Sequence, residues 1–117
     1  MKLSFFPDGC EDCPLLMLSD LTGEELGTLQ QIAGDLASGR RDSASLGQTS
    51  ECTLVARAAD RDVGIGVTPP RFECSLRRIM WWNIEGLIEP FLTDRTGYQW
   101  LDRSGDVVLL LSPGGEW

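Results

Sequence analysis

Residues 22–39 read TGEELGTLQQIAGDLASG, and this stretch decides the fold class. Thr22 followed three residues later by Glu25 is a capping box, in which the threonine oxygen and the glutamate carboxylate each accept from an otherwise free amide at a helix start. Leu26, Leu29, Ile32, Ala33 and Leu36 then recur at the 3.6-residue period. That places them on one face of a helix running from about Gly23 to Ser38, with Gly39 as its stop. A stripe of this width needs a sheet or another helix to cover it, so these residues are core. Gly23, Gly27 and Gly34 form a flanking stripe. Either the helix tolerates surface glycine there at a cost in stability, or the stripe admits the close approach of a neighbouring element.

Toward the N-terminus, the alternation in residues 2–6 and the apolar run Leu15 to Leu18 predict two strands, paired around the turn-rich stretch from Pro7 to Pro14. Beyond the helix, Arg40 to Ser50 is polar and aperiodic and reads as an exposed loop. Three short strands are predicted next, Cys52 to Ala58, Val63 to Val67 and Phe72 to Arg77, arranged as an antiparallel meander. Period two turns Cys52, Leu54 and Ala56, and then Phe72, Cys74 and Leu76, toward the core. A second helix runs from near Ile79 to about Glu89, where Pro90 removes an amide that the ladder needs. Met80, Ile84, Leu87 and Ile88 lie toward its apolar side. Residues 98–111 form a hairpin whose last strand, Val107 to Leu111, is buried on both faces. No internal repeat is visible in the residues. The sum is one globular α+β domain over residues 1–117, a mainly antiparallel sheet of about six to seven short strands with two amphipathic helices packed on it.

A chain of 117 residues is long enough to bury a real core without a metal or disulfides to support it. It carries 10 basic and 18 acidic residues, a net charge of −8, and Lys2 is its one lysine. Such a surface repels a phosphate backbone and an anionic membrane, which speaks against direct nucleic-acid or membrane binding. It leaves plain solubility or a basic protein partner. With no apolar run of membrane-spanning length, and with Pro7 cutting short the apolar N-terminal residues, the cytoplasm is the default location.

The chain contains no histidine, which excludes imidazole triads, His-liganded metals and histidine pH switches. Cys10 and Cys13 have the Cys-x-x-Cys spacing of a zinc knuckle or redox dithiol. A zinc site would need Cys52 and Cys74 as the remaining ligands, yet those read as small buried hydrophobes. Glu11 and Asp12, lying between the first two thiols, disfavour the thiolate that redox chemistry uses. Gly64-Ile65-Gly66 lacks the third glycine and the following helix of a dinucleotide loop. Asp60 and Asp62 read as turn chemistry. No cofactor is implied.

Glu85 and Glu89 stand one helical turn apart, a spacing that suits a divalent cation or simply a solvated face. Trp82 projects from that same polar side, whereas Trp81 lies at the edge of the apolar face. An indole ringed by carboxylates suits a protein interface unless residues 40–50 cover it. Trp100 and Trp117 read as packing residues. The leading functional expectation is therefore a small acidic protein-interaction domain without catalysis, of inhibitor, antitoxin or immunity type, that binds a basic partner through Trp82, Glu85 and Glu89. Two other classes remain: a metal-ion or small-ligand module using Cys10 and Cys13 or Glu85 and Glu89, and an enzyme working with carboxylates alone.

Overall fold

The computed structural model describes residues 1–10, 13–49, 52–66 and 69–115. In chain order these form β1 (Lys2–Cys10), β2 (Cys13–Ser19), α1 (Gly23–Ser38), β3 (Ser43–Gln48), β4 (Thr53–Ala58), β5 (Gly64–Ile65), β6 (Arg71–Leu76), α2 (Arg78–Ile88), a 3₁₀ turn (Glu89–Leu92), β7 (Gln99–Asp102) and β8 (Val108–Ser112). The strands make two mixed four-stranded sheets, ordered β1-β2-β8-β7 and β3-β4-β6-β5. One continuous core joins both sheets to both helices, from Leu16, Leu18, Leu109 and Leu111 through Leu54, Phe72 and Leu76 to Leu26, Leu36, Trp81 and Ile88.

Each sheet is two antiparallel hairpins joined in parallel through their second strands, β2 beside β8 and β4 beside β6. The connectivity repeats accordingly. Two hairpins flanking α1 are followed by two hairpins flanking α2, and each sheet takes one hairpin from each half. The repeat extends to detail. The register slips between Ser45 and Gly47 in β3 and between Trp100 and Asp102 in β7. Each slip leaves an extra residue, Leu46 and Leu101, and both are buried.

The capping box forms as predicted: the Glu25 amide donates to Thr22 Oγ1 at 3.1 Å and the Thr22 amide to Glu25 Oε1 at 3.0 Å. Gly39 ends α1 at φ 86°, the left-handed conformation that favours glycine. The β1–β2 pair and the β7–β8 hairpin also form. Strand β8 is buried along its whole length, with Leu109 and Leu111 in the main core and Val108 and Leu110 in a second cluster with Leu15 and Met17.

Three expectations are corrected. The predicted meander is broken, because β4 pairs in parallel with β6 and the two-residue β5 lies on the far side of β6. That order sets β4 and β6, with the buried Leu54, Ala56, Phe72, Cys74 and Leu76, side by side at the centre of their sheet. The stretch expected as a loop at residues 40–50 contains β3, an edge strand held to β4 by backbone hydrogen bonds despite its serines and glycine. Asp62, expected in turn chemistry, instead accepts from the Arg77 amide at 2.9 Å and from its Nε and Nη2 at 3.1 and 2.9 Å. It thereby supplies the N-terminal cap that Arg77's own side chain does not give α2.

That cap is charge-dependent. The Arg77 guanidinium and amide hold the Asp62 carboxyl below the ordinary aspartate range. A depressed folded-state pKa contributes stability that is present above the unfolded value and lost as pH falls through the folded one. Thermal melts over about pH 3–7 should show a drop in stability at the acid end that is smaller in Asp62→Asn than in the native chain. An identical acid limb in both would rule the cap out as a source of that dependence.

Candidate functional site

Helices α1 and α2 run antiparallel, tied at one end by Arg78 and at the other by Gln30. Arg78 Nη1 donates to the carbonyls of Leu36 at 2.8 Å and Arg41 at 3.1 Å, and Nη2 to Asp42 at 2.8 Å. The first of these bonds satisfies a free carbonyl at the C-terminal end of α1. Gln30 Nε2 donates to the Glu85 carbonyl at 3.4 Å and to the Glu89 carboxylate. Between these ties lies a groove of about 560 Å³ lined by Gly34, Ala37, Arg78, Ile79, Trp82 and Glu85. It continues into a more polar recess of about 380 Å³ bordered by Gly27, Gln30, Asp35, Arg40, Glu85 and Glu89.

Structure thus brings the three sequence-predicted residues, Trp82, Glu85 and Glu89, to one surface. Trp82 is 61% exposed, so residues 40–50 do not cover it. Trp81, expected at the edge of the apolar face, is 1% exposed and donates its indole N–H to the Arg57 carbonyl at 3.1 Å. Adjacent tryptophans have opposite fates because consecutive helical residues point about 100° apart. Sequence reasoning missed Ile79. It lies one turn before Trp82 and is 57% exposed, extending the indole into a continuous apolar stripe.

The glycine stripe on α1 divides. Gly34 carries the Glu85 carboxylate directly on its bare backbone, where an added Cβ would collide with it. Gly23 and Gly27 face open space. An unused glycine inside a helix costs about 0.5–1 kcal/mol relative to alanine, so Gly27 spends stability on a smooth, empty surface.

The charges along the groove are uneven. Asp35, at the Arg78 end, lies within 3.8 Å of Arg40 and 3.4 Å of Arg41. Glu85 and Glu89, at the other end, have no cationic partner among the described residues, and no basic residue occupies the last turn of α2. Carboxylates at a helix C-terminus oppose the helix dipole by about 0.3–1 kcal/mol each. Two such charges, met inside the chain only by the neutral Gln30 amide on Glu89, break a local rule without an ion pair to offset them among the described residues.

Two of the four cysteines have described side chains, and these two form no bond to each other. Cys52 and Cys74 are buried and free, and burial, with Asp102 nearby, pushes the Cys74 thiol well up. Cys52 Sγ lies 3.9 Å from the Leu3 carbonyl, at the opposite end of β1 from Cys10. No group of three or more metal-ligating side chains forms among the described residues. Glu11, Asp12, Trp117 and the side chains of Cys10 and Cys13 lie outside them. Trp100 packs on the second cluster under the Arg103 guanidinium, 5.2 Å from the ring centre. No described helix is long and apolar enough to cross a membrane. Comparison with protein-family models, with curated proteins and with solved structures finds no match, and the functional reading rests on the geometry of the α1–α2 groove.

Proposed function

We propose that this chain is a small acidic protein-interaction domain without catalysis, of inhibitor, antitoxin or immunity type, which holds a more basic protein on the α1–α2 face. The observation that carries the reading is the exposed Trp82 set one turn from the unneutralised Glu85 and two turns from Glu89. A large indole open to water is a source of binding free energy, because a partner removes it from solvent at little conformational cost. The carboxylates beside it select against acidic partners and speed the encounter with basic ones. The net charge of −8 extends the same bias over the rest of the surface. The histidine-free composition removes imidazole-based catalysis from the readings open to the chain.

The test is capture from native lysate with tagged protein, native and Trp82→Ala, at low and high salt, followed by affinity measurement on the identified partner. Truncating an anchor of this kind should weaken binding by about 2 kcal/mol or more, roughly thirtyfold. Raising ionic strength should weaken it further, since exposed charge pairs are screened. A complex indifferent to both changes would place the interaction elsewhere or remove it altogether.

A further inference from the structure

We infer that the occupant of the groove is a basic amphipathic helix of the partner, laid along α2 with its apolar side chains on Ile79 and Trp82 and its arginine or lysine residues on Glu85 and Glu89. This rests on the interaction reading above and adds the shape and polarity of what is bound.

The complementarity is directional. Ile79, Trp82, Glu85 and Glu89 succeed one another at helical spacing along a single line of about 15 Å, apolar at one end and acidic at the other. At the apolar end the nearby charges are matched internally, Arg78 by Asp42 and Asp35 by Arg40 and Arg41. At the acidic end neither carboxylate forms an ion pair among the described residues: Glu89 and the Glu85 carbonyl accept only from the neutral Gln30 amide, and Arg40, which borders the same recess, is paired with Asp35. A ligand that satisfies the whole line must carry apolar groups first and cations about two turns further on. A helix presents such a pattern along one face.

The floor fits the same shape. Gly27 lies seven residues, two turns, before Gly34 on α1, and while the Glu85 carboxylate covers Gly34, nothing fills the space above Gly27. The bare backbone at Gly27 beside the apolar-to-acidic line leaves room for a third helix to lie close over the antiparallel pair. It also explains why α1 keeps a glycine that stabilises nothing within the chain.

The test uses the intact protein and a synthetic Leu/Arg amphipathic peptide of about 14 residues, which would cover about 20 Å as a helix. Two control peptides accompany it, one with every arginine replaced by glutamate and one with a central proline. Binding is read by NMR from the amides of Gly27, Gly34, Glu85 and Glu89 and the indole N–H of Trp82. The arginine peptide should shift these signals. The glutamate peptide should not, and the proline peptide should bind at least about tenfold more weakly because it cannot form a continuous helix. In the protein, Glu85→Gln combined with Glu89→Gln should reduce affinity about tenfold. Gly27→Ala should raise the melting temperature and yet weaken the peptide.

Equal binding of the glutamate peptide overturns the charge assignment. Undiminished binding of the proline peptide, or of the native peptide to Gly27→Ala, overturns the helical occupant while leaving an interaction surface in place. Absence of shifts at all of these positions overturns the inference outright. The broader interaction reading stands or falls on the lysate partner and Trp82→Ala, so the two failures are distinguishable.

Discussion

Replacing Trp81 by alanine should cost about 3–5 kcal/mol of stability, the range for removing a fully buried large aromatic side chain. The indole is 1% exposed, sits in the core shared by both sheets, and anchors α2 through its bond to the Arg57 carbonyl in β4. Alanine leaves a cavity and a carbonyl without its donor, and the two losses add. The same substitution at Trp82 should alter stability by no more than about 0.5 kcal/mol, since the side chain is mostly in water. Urea denaturation of the pair gives the comparison directly, with equal slopes and well-separated midpoints expected. Comparable losses at both positions would mean that Trp82 is structural, and the groove would lose its anchor.

The second large effect belongs to Gly64 and Gly105. Here the edge of one sheet meets the other, through the Val107 amide bonded to the Ile65 carbonyl at 2.9 Å. The two glycines face each other at this seam. A Cβ on Gly64 would lie 2.7 Å from both the Gly105 Cα and Ser104 Oγ, and one on Gly105 would lie 2.6 Å from the Ile65 carbonyl oxygen. Gly64 also has φ 72°, a backbone that alanine adopts only with strain. Because the obstacles are largely backbone, they cannot rotate away as a flexible side chain would. Alanine at either position should cost roughly 3 kcal/mol or more, from overpacking and, at Gly64, from the left-handed conformation. Gly86→Ala is the control. Nothing lies within 4 Å of its Cβ position, and a helical glycine replaced by alanine should stabilise by about 0.5–1 kcal/mol. If thermal melts found all three substitutions alike, the seam would not be the tight junction described.

Half of the site is legible in the sequence, for a definable physical reason. Trp82, Glu85 and Glu89 were legible because helical spacing alone puts them on one face of α2. Ile79 was not, because an apolar residue in the first turn of a helix reads as core until the partner helix is placed. Similarly, the glycine stripe of α1 was visible at the spacing of Gly27 and Gly34, but its meaning depends on which residues α2 sets opposite. Gly34 meets Glu85 and Gly27 meets nothing, a difference of tertiary position between two identical residues.

By itself the sequence determined the elements whose causes are local. It set the capped and glycine-stopped α1, the proline-limited α2, the β1–β2 and β7–β8 pairs, the inward faces of β4 and β6, and the acidic, histidine-free surface. Tertiary structure alone decided how the elements meet. Strand β3 exists because β4 offers its serines and glycine a backbone ladder, against their propensity. The parallel pairs β2–β8 and β4–β6, and with them the repeated connectivity, join segments distant in the chain, which no short-range pattern encodes. Apolar burial is non-directional, so the pattern of hydrophobic residues specifies which faces are covered and leaves it to packing to choose what covers them.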